Sequence, residues 1–307
     1  MRSRECLPRP PLPQSGRPRG AGPLMAAPPA GPGFAPGIPV EVAAGVRRIV
    51  APNAGRMTGP GTNTYLIGRE RLVVLDPGPA LAAHLEAIVA AVGTATVVAI
   101  AVTHTHEDHS PLAAPLRARL AAPLVGRRAR HDRFQDPSFV PDTVAAEGLC
   151  LATDAGGLVA IGTPGHASNH VCWHQPGLRL LYTGDHILGT VSPVIIPPDG
   201  DMADYLGSLA ALARLDLAAL APGHGPLLEA PRAAIEALIR HRLEREARVA
   251  AALAAQSPAT LDALLPLAYR DVDPALWGFA RYSLEAHLIK LERDGRARRD
   301  GGGWRAA

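Results

Sequence analysis

The stretch Thr103-His104-Thr105-His106-Glu107-Asp108-His109-Ser110 follows directly on the apolar run Val97-Val98-Ala99-Ile100-Ala101-Val102. The run reads as a buried strand, and a loop at its end aims alternate side chains at one point. His104, His106, Asp108 and His109 place three imidazoles and a carboxylate within six residues. Imidazole nitrogen and carboxylate oxygen suit a borderline cation such as zinc. A solvated turn can also carry four polar residues, but three more candidates recur downstream, each in a glycine-punctuated turn: His166 in Thr-Pro-Gly-His, Asp185 in Thr-Gly-Asp-His and His224 in Pro-Gly-His-Gly. That recurrence favours a metal site.

Outward from this loop the chain alternates strand and helix patterns. Upstream, 46–50, 63–67 and 72–76 read as strands and 80–92 as a helix ending at Gly93. Downstream comes a helix at about 111–121, a loop-rich stretch to about 147, and strands at 149–152, 158–161, 170–174 and 179–183, the last two joined as a hairpin through Gln175-Pro176-Gly177. A helix at 202–215 and a strand at 217–221 deliver His224. Past Pro231, helices are expected at 231–255, 259–270 and 274–294, followed by a glycine-rich ribbon at 296–304. Trp277, Leu284, Leu288 and Leu291 repeat at helical spacing, so the last helix has one core-facing side. Three helices and a ribbon make a winged-helix-like module.

The 307 residues therefore divide into a Pro/Arg-rich arm at 1–38, a catalytic domain at 39–229 and a C-terminal module at 230–307. Residues 1–39 hold 11 prolines and six glycines with little to bury, a composition that predicts disorder. No apolar run reaches the ~20 residues that cross a bilayer. The prolines at 8, 10, 11 and 13 break any signal-like apolar helix, and a cytoplasmic protein without a membrane partner is expected. Three cysteines, odd in number and without Cys-x-x-Cys spacing, argue against a disulfide framework and against a thiolate zinc knuckle. The formal charge of +3 is unevenly spread. Five arginines and one glutamate give 1–39 a net +4, 13 basic and 17 acidic groups give 40–229 a net −4, and 13 against 10 give 230–307 a net +3.

The order His104-x-His106-x-Asp108-His109, His166, Asp185, His224 resembles the signature of the metallo-beta-lactamase superfamily. The resemblance implies an α+β fold, a four-layer αββα sandwich with a binuclear site at one edge. It implies that His104, His106 and His166 hold one divalent ion, that Asp108, His109 and His224 hold the other, and that Asp185 bridges them. Asp76, at a strand end, matches the family's early aspartate that supports the ligands from behind. Gly61-Thr62-Asn63-Thr64-Tyr65-Leu66, Gly184-Asp185-His186-Ile187-Leu188-Gly189 and His241-Arg242 are similar to the beta-lactamase-like protein 2 group, whose better-known members are metal-dependent endoribonucleases; bacterial relatives are likened to glyoxalase II. An aspartate at 185, where the commoner lactamases have cysteine, argues against antibiotic hydrolysis. A histidine at 106, where di-iron relatives have glutamate, favours two zinc ions.

The resemblance implies hydrolysis by a hydroxide held between the ions, with Asp108 as the catalytic carboxylate that orients it. No Gly-x-Ser-x-Gly elbow offers a protein nucleophile. Three substrate readings follow. In the first, the chain cuts single-stranded RNA, with Arg240, Arg242, Arg245, Arg296, Arg298 and Arg299 guiding the backbone. In the second it hydrolyses a small acyl thioester or ester, and in the third the winged helix reads nucleic acid while the metal domain senses. Asn63, His170, His186, His241 and Arg242 are further candidates, either for substrate contact or for support of the ligands.

Overall fold

The computed structural model describes residues 33–189 and 191–307. A first sheet takes its strands in chain order: β1 (Val40–Ala43), β2 (Val46–Val50), β3 (Asn63–Ile67), β4 (Arg71–Leu75), β5 (Thr96–Ala101), β6 (Leu124–Gly126) and β7 (Thr143–Val144). β1 to β4 pair antiparallel through short turns. β4 to β7 pair parallel, and helices α1 (Ala82–Val92) and α2 (Ala113–Leu120) make the first two crossovers. The second sheet holds β8 (Cys150–Thr153), β9 (Gly156–Gly162), β10 (Val171–Gln175), β11 (Leu180–Gly184) and β12 (Ala219–Pro222), in the order β12-β11-β10-β9-β8. Its β11 and β12 run parallel across α3 (Met202–Leu212), so both deliver their following residues to the same edge.

Alternation along the strands builds the layers. In β4, Val73 and Leu75 face the other sheet, while Leu72 and Val74 face Ile88 of α1 and Leu116 of α2. In β10 and β11, Val171, Trp173, Leu180 and Tyr182 fill the space between the sheets. Cys172 and Leu181 point the other way, onto Tyr205 and Leu209 of α3 and onto Ile235 and Leu238 of α4 (Pro231–Ala255). Helix, sheet, sheet, helix is the four-layer order expected from the resemblance. Burial of each such large apolar side chain contributes about 1.5–3 kcal/mol.

Beyond α4's midpoint the chain forms its own small core with α5 (Leu261–Ala268), α6 (Trp277–Arg293), and the hairpin of β13 (Ala297–Asp300) and β14 (Gly303–Ala306). Leu284, Leu288 and Leu291 enter this core, with Trp277 packed against it, as their spacing predicts. Another side of α6 faces the sandwich: Ala286 joins the core over α3, the Ser283 hydroxyl accepts the N–H of Ile195 at 3.4 Å, and Arg293 pairs with Asp201.

Two expectations change. The stretch read as loop-rich holds β6 and β7, which are three and two residues long, too short to show a period, and extend the first sheet by parallel pairing. Of the arm expected at 1–38, residues 1–32 lie outside the described residues, while 33–38 are seated on β2. There Arg48 donates to the Gly33 carbonyl at 2.8 Å and lies 3.9 Å from the centre of the Phe34 ring, and the Gly37 N–H donates to Val50 at 2.9 Å. No helix among the described residues is long and apolar enough to cross a membrane.

Candidate metal centre

The ends of β5, β11 and β12 and the turn between β9 and β10 meet at one edge of the sandwich, bringing together all seven side chains predicted from the sequence. Glycines make the approach possible. Gly184, at φ +46°, has no room for a β-carbon, which would sit 2.4 Å from the Thr103 hydroxyl. A β-carbon on Gly223 would lie 2.6 Å from a carboxylate oxygen of Asp185 and 2.7 Å from the His109 ring, in space the site keeps open.

The side chains form two adjoining groups. In one, Nδ1 of His106 lies 3.0 Å from Nε2 of His104 and 3.1 Å from Nε2 of His166. In the other, Nε2 of His224 lies 3.2 Å from Asp108 and 3.3 Å from Asp185, and Nε2 of His109 lies 3.3 Å from Asp185 and 3.6 Å from Asp108. The His104 and His109 rings are 4.2 Å apart, centre to centre, where the groups meet.

The far nitrogens fix the tautomers. Thr103 donates its hydroxyl proton to Asp76 at 2.8 Å, so that hydroxyl accepts from Nδ1 of His104 at 3.0 Å. Asp76 also accepts Nδ1–H of His109 at 3.0 Å and the Thr103 N–H at 2.6 Å. Nδ1 of His166 donates to the Val194 carbonyl at 2.8 Å, and Nδ1 of His224 to that of Gly61 at 3.3 Å. In its neutral form each of these four rings therefore keeps its proton on Nδ1 and turns an Nε2 lone pair inward, the state that binds a metal ion.

The second group has buried polar atoms with no hydrogen bond: Nε2 of His109, Nε2 of His224 and Oδ1 of Asp185. Three such atoms converging in the interior fit a cation, since leaving them unpaired costs about 1–3 kcal/mol each. Charge behaves accordingly. Burial works to lower the pKa of His224, but the Asp185 charge together with hydrogen bonding to Asp108 and Asp185 outweighs it and holds the ring up at about 9; against its burial, His109 is likewise held well above the usual imidazole range by Asp108, Asp185 and Asp76. In the other group, burial and the neighbouring His166 push His106 down to about 3, and burial lowers His104 and His166 as well. One group is thus a ready neutral ligand set, and in the other the carboxylates of Asp108 and Asp185 hold protons on His109 and His224 that a cation would displace.

The remaining candidates lie behind this surface. Asn63 is fully buried and donates to the carbonyls of Pro222 and Gly225, both at 2.9 Å, bracing the His224 turn. His170 packs 5.0 Å behind His104, with Nδ1 against the Thr163 hydroxyl, and His186 lies 5.4 Å beyond it against Tyr205. Arg242 is buried between Tyr205 and the Pro193 carbonyl, and His241 sits half-buried on α4 among Arg242, Arg245 and His287.

A cleft opens from His106 and His166 between Arg133, Phe134 and Gln135 on one side and Ile196–Asp199 on the other. Asp199, absent from the sequence reading, ties its walls together. Its buried carboxylate accepts the Ser168 hydroxyl at 2.6 Å, the N–H groups of Ser168 and His131 at 3.0 and 3.2 Å, and the Gln135 amide at 3.1 Å. Its only sequence signal is an acidic residue after two prolines, which marks a turn and no more.

Comparison with known proteins agrees with this architecture. Residues 57–224 match the family model of the metallo-beta-lactamase superfamily, and 260–304 match the beta-lactamase associated winged helix domain. The chain is 29% identical over 267 residues to the beta-lactamase-like protein 2 homolog of Drosophila melanogaster, covering 82% of this chain and 89% of that one. It is 30% identical over 212 residues to a protein of Aspergillus fumigatus named atrochrysone carboxyl ACP thioesterase, covering 68% and 64%. Among solved structures, a beta-lactamase domain protein from Burkholderia ambifaria superposes with a TM-score of 0.76 at 23% identity, over 89% of this chain and 94% of that one. A family match across more than half of the chain, on a sandwich whose edge gathers these seven side chains, makes this a hydrolase of the metallo-beta-lactamase superfamily.

Proposed function

We propose that this chain is a binuclear zinc hydrolase of acyl thioesters. Two bound divalent ions would supply a water of pKa near 7 and polarise the scissile carbonyl. The chain's part is to orient. Asp108 has the more open carboxylate of the metal-facing pair, 29% exposed against 13% for Asp185. Burial would raise its pKa, but the charges of His109 and His224 outweigh burial and hold it down at about 2. An ionised acceptor at neutral pH can align the attacking water and take its proton as the acyl carbon is attacked. The C–S bond then breaks, and the thiol leaves with that proton.

One observation carries the choice of thioester over RNA. Most arginines expected to guide nucleic acid are engaged within the fold. Arg242 and Arg245 are buried, the latter paired with Asp271 at 2.7 Å; Arg296 pairs with Glu246 at 3.1 Å; Arg299 stacks on Trp304. The Aspergillus relative's name and the net negative catalytic domain point the same way. The exposed apolar side chain of Phe134, lining the cleft, suits an acyl chain. RNA stays a second reading because of the exposed arginines in 127–133. The nucleic-acid sensor reading loses support, since Ser283, Ala286 and His287 of α6, the helix that would enter a groove, are buried.

The test is turnover of acyl thioesters, single-stranded RNA and a lactam by zinc-loaded protein, with and without chelator. Chelator-sensitive thioester hydrolysis is expected, with kcat reduced about 100-fold or more in Asp108→Asn. RNA cleavage without thioester turnover would reverse the assignment.

A further inference from the structure

Resting on the thioester reading, we infer that the loop Arg127-Arg128-Ala129-Arg130-His131-Asp132-Arg133 is a phosphate-binding lip. It takes the phosphate-bearing arm to which the acyl group is joined, with Arg128 and Arg130 as its contacts.

The loop's four arginines are not equivalent. Arg127 donates to the Ala145 carbonyl at 2.6 Å and braces β7's end, and Arg133 donates to the Tyr282 hydroxyl at 2.8 Å and stacks on its ring. Arg128 and Arg130 are exposed, and their guanidinium groups have no hydrogen bond, ion pair or ring contact among the described residues. Two unpaired guanidinium groups two residues apart, in a loop whose one carboxylate is Asp132, have the chemistry that selects a phosphate.

The lip is held to the metal site. Arg130 donates its backbone N–H to the Ser168 hydroxyl at 2.9 Å, and Ser168 stands two residues from His166. The carbonyl of Arg127 accepts the Asn169 amide at 3.1 Å, and the same amide donates to the hydroxyl of Thr105, between two ligands, at 2.6 Å. Asp199, buried and accepting from both Ser168 and His131, locks this arrangement. Two residues of chain span at most about 7 Å, so the Arg130 backbone lies within about 10 Å of the His166 backbone, and the exposed guanidinium extends from there. A phosphate on its guanidinium is then separated from the scissile bond by a long, linear arm. A thioester of a phosphorylated pantetheine has that layout, whether the phosphate belongs to coenzyme A or to a carrier protein. A flanking phosphate of RNA would also reach the lip, so the substrate panel decides between the two.

The experiment compares wild type with Arg128→Ala/Arg130→Ala on three substrates bearing the same acyl group: the coenzyme A thioester, the carrier-protein thioester and the phosphate-free pantetheine thioester. The double variant should lose about 10- to 100-fold in kcat/KM, through KM, on phosphate-bearing substrates. Its turnover of the pantetheine thioester should stay within about twofold, which also shows that it folds. Loss on coenzyme A alone assigns the nucleotide phosphates, and loss on both assigns the phosphate adjoining pantetheine. Unchanged constants on every substrate, or an equal loss on all three, would overturn the lip. If wild type turns over no thioester yet cleaves RNA, the thioester reading fails first and the lip's occupant with it.

Discussion

Asp76 occupies a left-handed backbone conformation, φ +50°, at the end of β4, which aspartate tolerates better than most residues. The turn points its carboxylate at Thr103 and His109, so one residue sets the tautomers of two ligands in two groups. Single residues of this kind were legible because the ligands cluster: His104 to His109 form a local pattern, and His166, Asp185 and His224 each follow a glycine. Asp199 was not, because its partners lie 31 to 68 positions away and nothing local distinguishes it. Protonation gives a prediction at this scale. His224, near 9, and His109 carry protons at pH 7 when no metal is bound, and a metal ion needs both rings neutral. Adding zinc to metal-free protein at pH 7 should release one to about two protons, and zinc affinity should weaken as pH falls. An indicator dye in weak buffer reads the release; uptake, or no change, would show that these rings do not meet the ion.

At the scale of elements, strand alternation and helix periodicity foretold most of the sandwich, because long elements repeat their pattern several times. β6 and β7 repeat nothing and are held by parallel pairing to β5 and to each other. The loop that follows β6 is fastened in turn to the ligand loop: Asp136 N–H donates to the Thr105 carbonyl at 2.6 Å, and Ser110 donates to the Asp136 carboxylate at 2.8 Å. Asp199 is the clamp between this loop and the His166 turn. Asp199→Ala would leave donors of Ser168, His131 and Gln135 without their acceptor. We expect a loss of about 1–3 kcal/mol in urea unfolding and faster trypsin cleavage at Arg128 and Arg130. Unaltered cleavage would mean that the loop is held by something else.

Over the whole molecule, the C-terminal module is part of the hydrolase's structure. Its amphipathic helices were readable from the sequence, but which faces meet the sandwich was not, since Arg242, Arg245 and His287 look like surface residues until the fold buries them. Ile235, Leu238 and Ala286 cover Leu181, Leu209 and Leu212. Uncovering several such side chains, at about 1.5–3 kcal/mol each, consumes much of the 5–15 kcal/mol that holds a typical domain together. Removal of 231–307 should therefore give a chain that binds hydrophobic dye and lacks a cooperative melt; a sharp, unshifted transition would contradict this packing. All of these scales serve a sandwich edge whose side chains are suited to hold two metal ions. The most direct test is metal content: protein stripped by chelator and titrated with zinc should take up two equivalents and regain hydrolysis with them. Full activity in the stripped protein, or saturation with no zinc bound at these seven residues, would contradict the account.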